Sequence, residues 1–403
     1  MSAPRALAAR AEPGRPTAPR LLIVATTAVT LRAFLLPFAR HFRALGWRVD
    51  GLAEGAGTCA ACAETFDRVH DIAWSRNPLD VRNVAGSPRR VRQLVAEGAY
   101  DIVHVHTPVA SFVTRSALRR ARRGGRGPAV VYTAHGFHFH PGGGAAANVA
   151  YRALERLAGR WTDRLIVINR VDEDAARRHA LVPPSRLRYV PGIGVDTRHY
   201  APAEAAGPDH EVRGALGIPA DAPFFAMVAE FNPGKRHADA VAALAAVARR
   251  DVHLVFAGRG PMLEPTRARA TSLGVGGRVH FAGQVADVRP LVRAAAALLL
   301  PSLREGLPRS VLEAMAMERP VIGSDIRGMS ELLSGGAGLL HPPGDVAALS
   351  RAMETVLADE SGSRAMAERG RRRVCGEYAL ERILSLHQEL YGELLVASMP
   401  ARG

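Results

Sequence analysis

Pro301-Ser-Leu-Arg-Glu-Gly-Leu-Pro-Arg-Ser-Val-Leu-Glu-Ala-Met-Ala-Met-Glu-Arg-Pro320, followed by Val321-Ile-Gly-Ser-Asp325, decides how this 403-residue chain folds. Its apolar lead-in, Leu298 to Leu300, reads as a buried strand. A loop with Gly306 and Pro308 follows, and a helix is expected to start at or near Pro308, which has no N–H to leave unpaired. Val311, Leu312 and Met315 recur at helical spacing and should face the core, with Glu313 off that stripe. Pro320 closes the helix and Val321-Ile322 opens the next strand. Arg304 and Arg309 flank the helix start, where the macrodipole disfavours cations. Two resolutions stand open. One is a bound anion held with the free N–H groups near Gly306 and Leu307; the other is a pair of solvated arginines.

Working outward, short β-rich runs alternate with helical patterns along the chain. In the first half they fall at 21–25, 48–52, 102–106, 129–133, 165–169 and 187–190. In the second half they fall at 224–228, 253–257, 279–282, 297–301, 321–324 and 338–340. Helical segments such as 33–45 and 238–249 lie between most of them. Alternation of this kind implies parallel sheets with helices on both faces. It occurs twice, so the reading is α/β with two doubly wound, Rossmann-like domains at 21–200 and 223–378. An Ala-, Pro-, Gly- and acid-rich linker joins them at 201–222, and a final helix and tail occupy 379–403. Residues 1–20, rich in Ala, Arg and Pro, read as a disordered tail.

Composition narrows the classes. The net charge is +15, and all of it lies in the first half. Residues 1–200 hold 30 Arg and Lys against 15 Asp and Glu, and residues 201–403 hold 23 of each. A basic half points to an anionic partner, either nucleic acid or an anionic membrane face, or to a solvated Arg-rich surface. The densest run is Arg119, Arg120, Arg122, Arg123 and Arg126. It has little aromatic interleaving and no recognition module, which argues against nucleic acid. Lysine occurs once, at Lys235, which marks a place where a compact ammonium is wanted over a planar fork. Three cysteines give no disulfide framework and fit a reducing compartment; Cys59-Ala-Ala-Cys62 has no second pair to complete a zinc site. No apolar run is long enough to span a bilayer. The expected location is the cytoplasm, with peripheral contact at the inner face of the plasma membrane.

Open α/β sheets bind ligands beyond the carboxyl ends of their strands, and the candidate residues cluster there. After the first strand, Thr26, Thr27 and Thr30 offer hydroxyls to a ligand or caps to the first helix. His104-Val-His-Thr-Pro108 puts His104 and His106 on one strand face. Thr133-Ala-His-Gly-Phe-His-Phe-His140 adds His135 and His138; metal binding and core or turn roles are both open for these histidines. Val228-Ala-Glu-Phe-Asn-Pro-Gly-Lys-Arg236 lacks the spacing of a P-loop. Gly258 and Gly260, in Phe256-Ala-Gly-Arg-Gly-Pro261, permit close backbone approach to a ligand.

The stretch Leu-Arg-Glu-Gly-Leu-Pro-Arg, with Glu305 and Glu313 eight residues apart, resembles the E-x7-E element of retaining GT-B glycosyltransferases of family 4. His-Val-His-Thr-Pro-Val-Ala-Ser and Tyr-Thr-Ala-His-Gly-Phe-His-Phe resemble segments of the exopolysaccharide and capsule members. The resemblance covers about residues 21–397 and implies two domains facing across a cleft, with the last helix crossing back to the first. It implies that Glu305 contacts the donor sugar, that Glu313 holds the ribose, and that His135 lines the reacting centre. Lys235 fits the lysine that grips the donor diphosphate, so Glu305, His135 and Lys235 are the implied catalytic set. Arg304, Gly306, Leu307, Pro308, Arg236, Gly258 and Gly260 join Glu313 on the donor side; His106, His138, Thr26 and Thr30 fall to the acceptor side. Two departures stand out: no glycine-rich loop follows the first strand, and Glu230 occupies the usual arginine position, leaving Arg236 or Arg304 to compensate.

The implied activity is retaining hexosyl transfer from a nucleotide-sugar, expected to be a UDP-sugar, to a lipid-linked or glycan acceptor in surface polysaccharide biosynthesis. It needs no metal or other cofactor. A sugar-nucleotide epimerase of the same fold is the alternative enzyme, and a nucleic-acid-binding protein the remote one.

Overall fold

In the computed structural model, residues 18–75, 77, 80–123, 127–140, 142–202 and 209–398 are described. Among the described residues the twelve apolar runs become strands, and a thirteenth, unforeseen strand stands at a sheet edge. The first seven are β1 (Arg20–Thr27), β2 (Arg48–Glu54), β3 (Arg68–Asp71), β4 (Ile102–His106), β5 (Ala129–Ala134), β6 (Arg164–Val167) and β7 (Leu187–Tyr189). The remaining six are β8 (Phe224–Val228), β9 (His253–Ala257), β10 (Val279–Gly283), β11 (Ala297–Leu300), β12 (Val321–Ser324) and β13 (Leu339–His341). They form one sheet of order β3-β2-β1-β4-β5-β6-β7 and another of order β10-β9-β8-β11-β12-β13. The paired strands run parallel; Leu298, Leu299 and Leu300 of β11 stand beside Val321, Ile322 and Gly323 of β12. Parallel strands covered by helices on both faces need unbroken apolar runs, and β11 is buried at all four positions. In the second sheet the chain order reverses beside β8, between β9 and β11. The carboxyl ends of β8 and β11 are therefore where a ligand crevice is expected.

The chain divides into two compact units between Val131 and Tyr132, not at the expected linker. The segment following Tyr132 is bonded into the second sheet's surroundings. Arg327 Nη1 meets Asp172 Oδ1 at 2.9 Å, and Tyr189 Oη donates to Glu331 Oε1 at 3.0 Å. The final helix, Leu380–Ser398, carries Glu393 to Arg164 and Arg188, each at 3.2 Å. These contacts tie the helix to β6 and β7 within the second unit. The 201–222 stretch contains a helix, Asp209–Leu216, where only a linker was expected. The first helical segment begins earlier than expected, at Ala28, and passes through a π-helical turn at Leu31–Leu35. Cys59 and Cys62 form a disulfide, contrary to the sequence reading. Cys59 caps the short helix Ala60–Thr65, which brings the two sulfurs together, and Cys375 is free and exposed. The expected tail lies outside the described residues up to residue 17, as does part of the Arg119–Arg126 run. Among the described residues no helix is long and apolar enough to cross a membrane.

A buried carboxylate anchors the first unit. Asp50 on β2 accepts from Tyr100 Oη at 2.6 Å and Arg48 Nη2 at 2.7 Å, with His70 Nε2 at 3.6 Å. Burial raises its pKa, but the bonds from His70, Arg48 and Tyr100 outweigh that and hold it at about 2 against an ordinary 3.8. A depressed carboxyl contributes stability above its unfolded pKa and loses it as the pH falls toward the folded value. Asp50 should thus contribute about 2 kcal/mol at neutral pH, lost between about pH 4 and 2. Urea melts of the wild type and Asp50→Asn across that window should converge at low pH; a constant gap would refute the assignment.

Candidate active site

Lys235 arrives at the site from β8. The chain leaves the strand, makes a single 3-10 turn at Pro233–Lys235, and enters the helix His237–Ala246 through Arg236 in a left-handed conformation (φ 58°). Glu305 arrives from β11 on the loop before the helix Arg309–Ala316. Leu303 N donates to Gly234 O at 2.8 Å, tying the two loops together. Lys235 Nζ then meets Glu305 Oε1 at 2.5 Å, with both side chains partly exposed. The lone lysine and the first glutamate of the E-x7-E element form one ion pair at the sheet's reversal point.

The turn after Glu305 is held by backbone contacts that admit no side chain. A Cβ on Gly306 would stand 2.0 Å from the carbonyl oxygen of His135, and one on Gly328 would stand 1.9 Å from the carbonyl oxygen of Gly306. Gly136 (φ 124°) lies against Gly306 Cα and the Arg327 guanidinium. Three glycines therefore press the His135–Gly136, Glu305–Gly306 and Arg327–Gly328 segments together. Leu307 continues the contact, reaching within 2.3 Å of a Cβ placed on Gly192.

His135 is half-buried beside His387 of the final helix. Burial first, then the neighbouring His387, pushes its pKa down to about 4, so its imidazole is neutral at physiological pH. Burial likewise takes His387 down to about 4, and its Nδ1 lies 2.8 Å from Ile383 O. His138 is exposed, its ring 5.3 Å from that of Tyr151, and partial desolvation with the charges of Arg304 and Arg327 holds its pKa below the usual value. Arg304 is itself exposed.

Several arginines are committed inside the protein. Arg309 Nε pairs with Glu313 Oε1 at 2.6 Å one helical turn on, and Tyr200 lies against the pair. Of the two resolutions left open for Arg309, a bound anion or a solvated side chain, neither describes it: a buried carboxylate of its own helix answers its charge. Arg236 makes a two-pronged contact with Asp239, both bonds 2.8 Å, which occupies the guanidinium expected to compensate for Glu230. Glu230 is exposed, accepting from Asn232 Nδ2 at 3.2 Å. Gly258 and Gly260 make a close approach to protein on the side where a Cβ would stand. Their Cβ atoms would fall 2.0 Å from Ala229 O and 2.4 Å from Phe231 O, because the 229–231 segment runs on beside 257–260 as an extension of the sheet. Pro308 is the N-cap of its helix, not its first residue, and offers no side-chain cap.

Thr26, Thr30 and His106 belong to the first unit. Thr26 is buried, its Oγ1 2.7 Å from Thr107 Oγ1 and its carbonyl accepting from Trp74 Nε1 at 2.8 Å. Its hydroxyl is thus taken up inside the fold, against the expectation of an acceptor-side contact. Thr30 is half-buried, 3.5 Å from Thr27 between hydroxyl oxygens. His106 is buried, with its ring centroid 4.1 Å from that of His104. Among the described residues no group of three or more His, Cys, Asp or Glu side chains is gathered as a metal site.

Arg327 and Asp172 were not anticipated. Arg327 donates to Phe137 O and pairs with buried Asp172, which Asn169 Nδ2 also contacts at 2.8 Å. Burial raises the Asp172 pKa, and Arg327 opposes that. Arg327 follows β12 by three residues, so the strand-end rule that located the other candidates could have flagged it.

Two parallel α/β sheets, the second with the Lys235–Glu305 pair at its reversal point, define the GT-B class of glycosyltransferase. The description of Glycosyltransferase Family 4 matches residues 33–199, and that of Glycosyl transferases group 1 matches residues 209–373. EpsD of Bacillus subtilis (strain 168), named as a glycosyltransferase, is 34% identical over 357 residues, covering 88% of this chain and 91% of its own. An Escherichia coli enzyme named UDP-Gal:alpha-D-GlcNAc-diphosphoundecaprenol alpha-1,3-galactosyltransferase is 27% identical, covering 75% and 78%. The crystal structure of Anabaena Alr3699/HepE in complex with UDP and glucose shares the fold with a TM-score of 0.79 at 20% identity, covering 93% and 99%. The chain belongs to glycosyltransferase family 4, and it is a glycosyltransferase.

Two outcomes follow for the site. Gly306→Ala should cut sugar transfer about 100-fold by displacing Glu305, on the rule that a shift of about 1 Å costs that much, while circular dichroism stays native. Turnover near wild type would show that the turn has slack. Arg327→Met should destabilise the protein by about 3–5 kcal/mol by stranding the buried Asp172 carboxylate. Adding Asp172→Asn should recover much of that loss in urea melts; additive losses would mean the pair is not coupled.

Proposed function

We propose that this enzyme transfers a hexose, with retention of anomeric configuration, from a UDP-sugar to a lipid-linked saccharide acceptor during surface polysaccharide biosynthesis, and that it does so without a metal. The observation that carries the reading is the Lys235–Glu305 pair at the carboxyl ends of β8 and β11, in the same compact unit as neutral His135. The names of the Bacillus and Escherichia relatives support the polysaccharide setting and the lipid-linked acceptor.

In this reading the bond from the sugar's anomeric carbon to the diphosphate oxygen breaks as positive charge grows on the ring. The departing diphosphate gains charge, which Lys235, Arg304 and the amides opening the Arg309–Ala316 helix stabilise. Glu305 holds the ammonium in place before the donor arrives and orients sugar hydroxyls afterwards. His135, being neutral, offers a hydrogen bond to the sugar without adding charge beside the cationic ring. With Arg236 held by Asp239 and a carboxylate at Glu230, the diphosphate's grip falls to Lys235 and Arg304. Each charge-assisted contact is worth roughly 1.5–3 kcal/mol, so losing one costs about tenfold or more.

Lys235→Ala and Glu305→Ala should each abolish transfer while leaving the fold intact, measured by product mass against a panel of UDP- and GDP-sugars. The anomeric coupling of the product by NMR reports retention. Near-normal turnover in either variant, or an inverted product, sinks the mechanism.

A further inference from the structure

The helix Ala145–Gly159 is inside out. Asn148, Tyr151 and Glu155 face the protein. Asn148 brackets His140, accepting from its N–H at 3.2 Å and donating to its carbonyl at 2.8 Å. Glu155 accepts from Tyr132 Oη at 3.3 Å, and Tyr151 lies against the His138 ring. Ala158 and Gly159 are buried, and a Cβ on Gly159 would stand 1.9 Å from Leu181 O, which fixes the helix's rotation. The apolar side chains face outward: Val149 is 58% exposed, Leu154 45% and Leu157 40%, with Ala153 between them. A surface helix ordinarily does the reverse. The outward arc also carries Arg156 and ends beside Arg160, both exposed, and it holds no acidic residue; the helix's one acid, Glu155, points inward.

A shallow hollow of about 250 Å³ lies against this helix, lined by Val149, Arg152, Ala153, Arg156 and His179. The charges of Arg152, Arg178 and Arg156 converge on His179. An apolar ridge bordered by an acid-free cationic hollow matches one surface, a bilayer with anionic headgroups, which takes alkyl side chains at its boundary and phosphates beside them. A second copy of the chain is a poor occupant, because a two-fold contact would set arginine against arginine.

We propose that the outward face of the Ala145–Gly159 helix is the surface on which this enzyme docks to an anionic membrane. The inference rests on the lipid-linked acceptor reading for its purpose and adds where the membrane lies. The same helix backs onto His138, which senses Arg304, so a docked bilayer lies beside the segment that leads from His135 to the donor loop.

The test uses the full chain and vesicle flotation. The wild type should float with phosphatidylcholine vesicles containing phosphatidylglycerol, less with phosphatidylcholine alone, and less as salt rises. Val149→Asp/Leu154→Asp/Leu157→Asp should lower retention at least about tenfold, and Arg156→Glu/Arg160→Glu should do so on anionic vesicles. Both variants should stay folded by circular dichroism, the second losing only the stability of the Arg156 bonds to His179 O, and both should keep wild-type transfer to a short-chain, water-soluble prenyl-diphosphate sugar. Leu154→Trp should shift its emission to the blue on adding anionic vesicles. Unchanged retention in both multiple variants overturns the docking face. So does a concentration-dependent dimer, or capture of an acidic protein, that the same substitutions abolish without affecting flotation. If the wild type floats as expected but transfers to no prenyl-linked acceptor, the acceptor reading fails and the docking face stands.

Discussion

A carbonyl oxygen with no room for a methyl group beside it sets the geometry of the second unit. Gly306 lies against His135 O on one side and sends its own carbonyl against Gly328 on the other. These are contacts between main chains, so they allow little of the drift that side-chain packing tolerates. Glu305, next in sequence, inherits that fixity, and Lys235 is drawn to it through the bond between Leu303 and Gly234. Preorganised charge needs such support, because a carboxylate on a free loop would spend binding energy on its own ordering.

Around this centre most of the cationic charge is neutralised locally. Arg309 belongs to Glu313, Arg236 to Asp239 and Arg327 to Asp172. Each pairing removes an arginine from the set that can meet an anionic ligand. The arrangement gives a physical meaning to the chain's single lysine. A compact ammonium can turn from Glu305 toward a ligand oxygen with little rearrangement, whereas a two-pronged guanidinium would have to break two bonds at once.

Much of this was legible in the sequence. Four strands, Ile102–His106, Phe224–Val228, His253–Ala257 and Val321–Ser324, lie where their apolar runs place them, because buried parallel strands need such runs. β3 was not legible: Arg-Val-His-Asp at a sheet edge carries no apolar signal. Glu305 and Lys235 could be named from motif and composition, yet their 2.5 Å contact depends on the reversal of strand order at β8. That Ala229 and Phe231 pack against Gly258 and Gly260 was not legible, because a glycine's freedom does not say what comes close to it. Asp172 and Arg327, 155 residues apart, meet only through tertiary packing.

The last helix carries His387 to the side of His135, so the neutral imidazole of His135 rests on a helix whose sequence position is far from its own. The helix Leu380–Ser398 is therefore part of the surroundings of His135. Trimming into that helix, or anchoring a bulky fusion on it, would loosen the packing of a side chain more than two hundred positions earlier in the polypeptide.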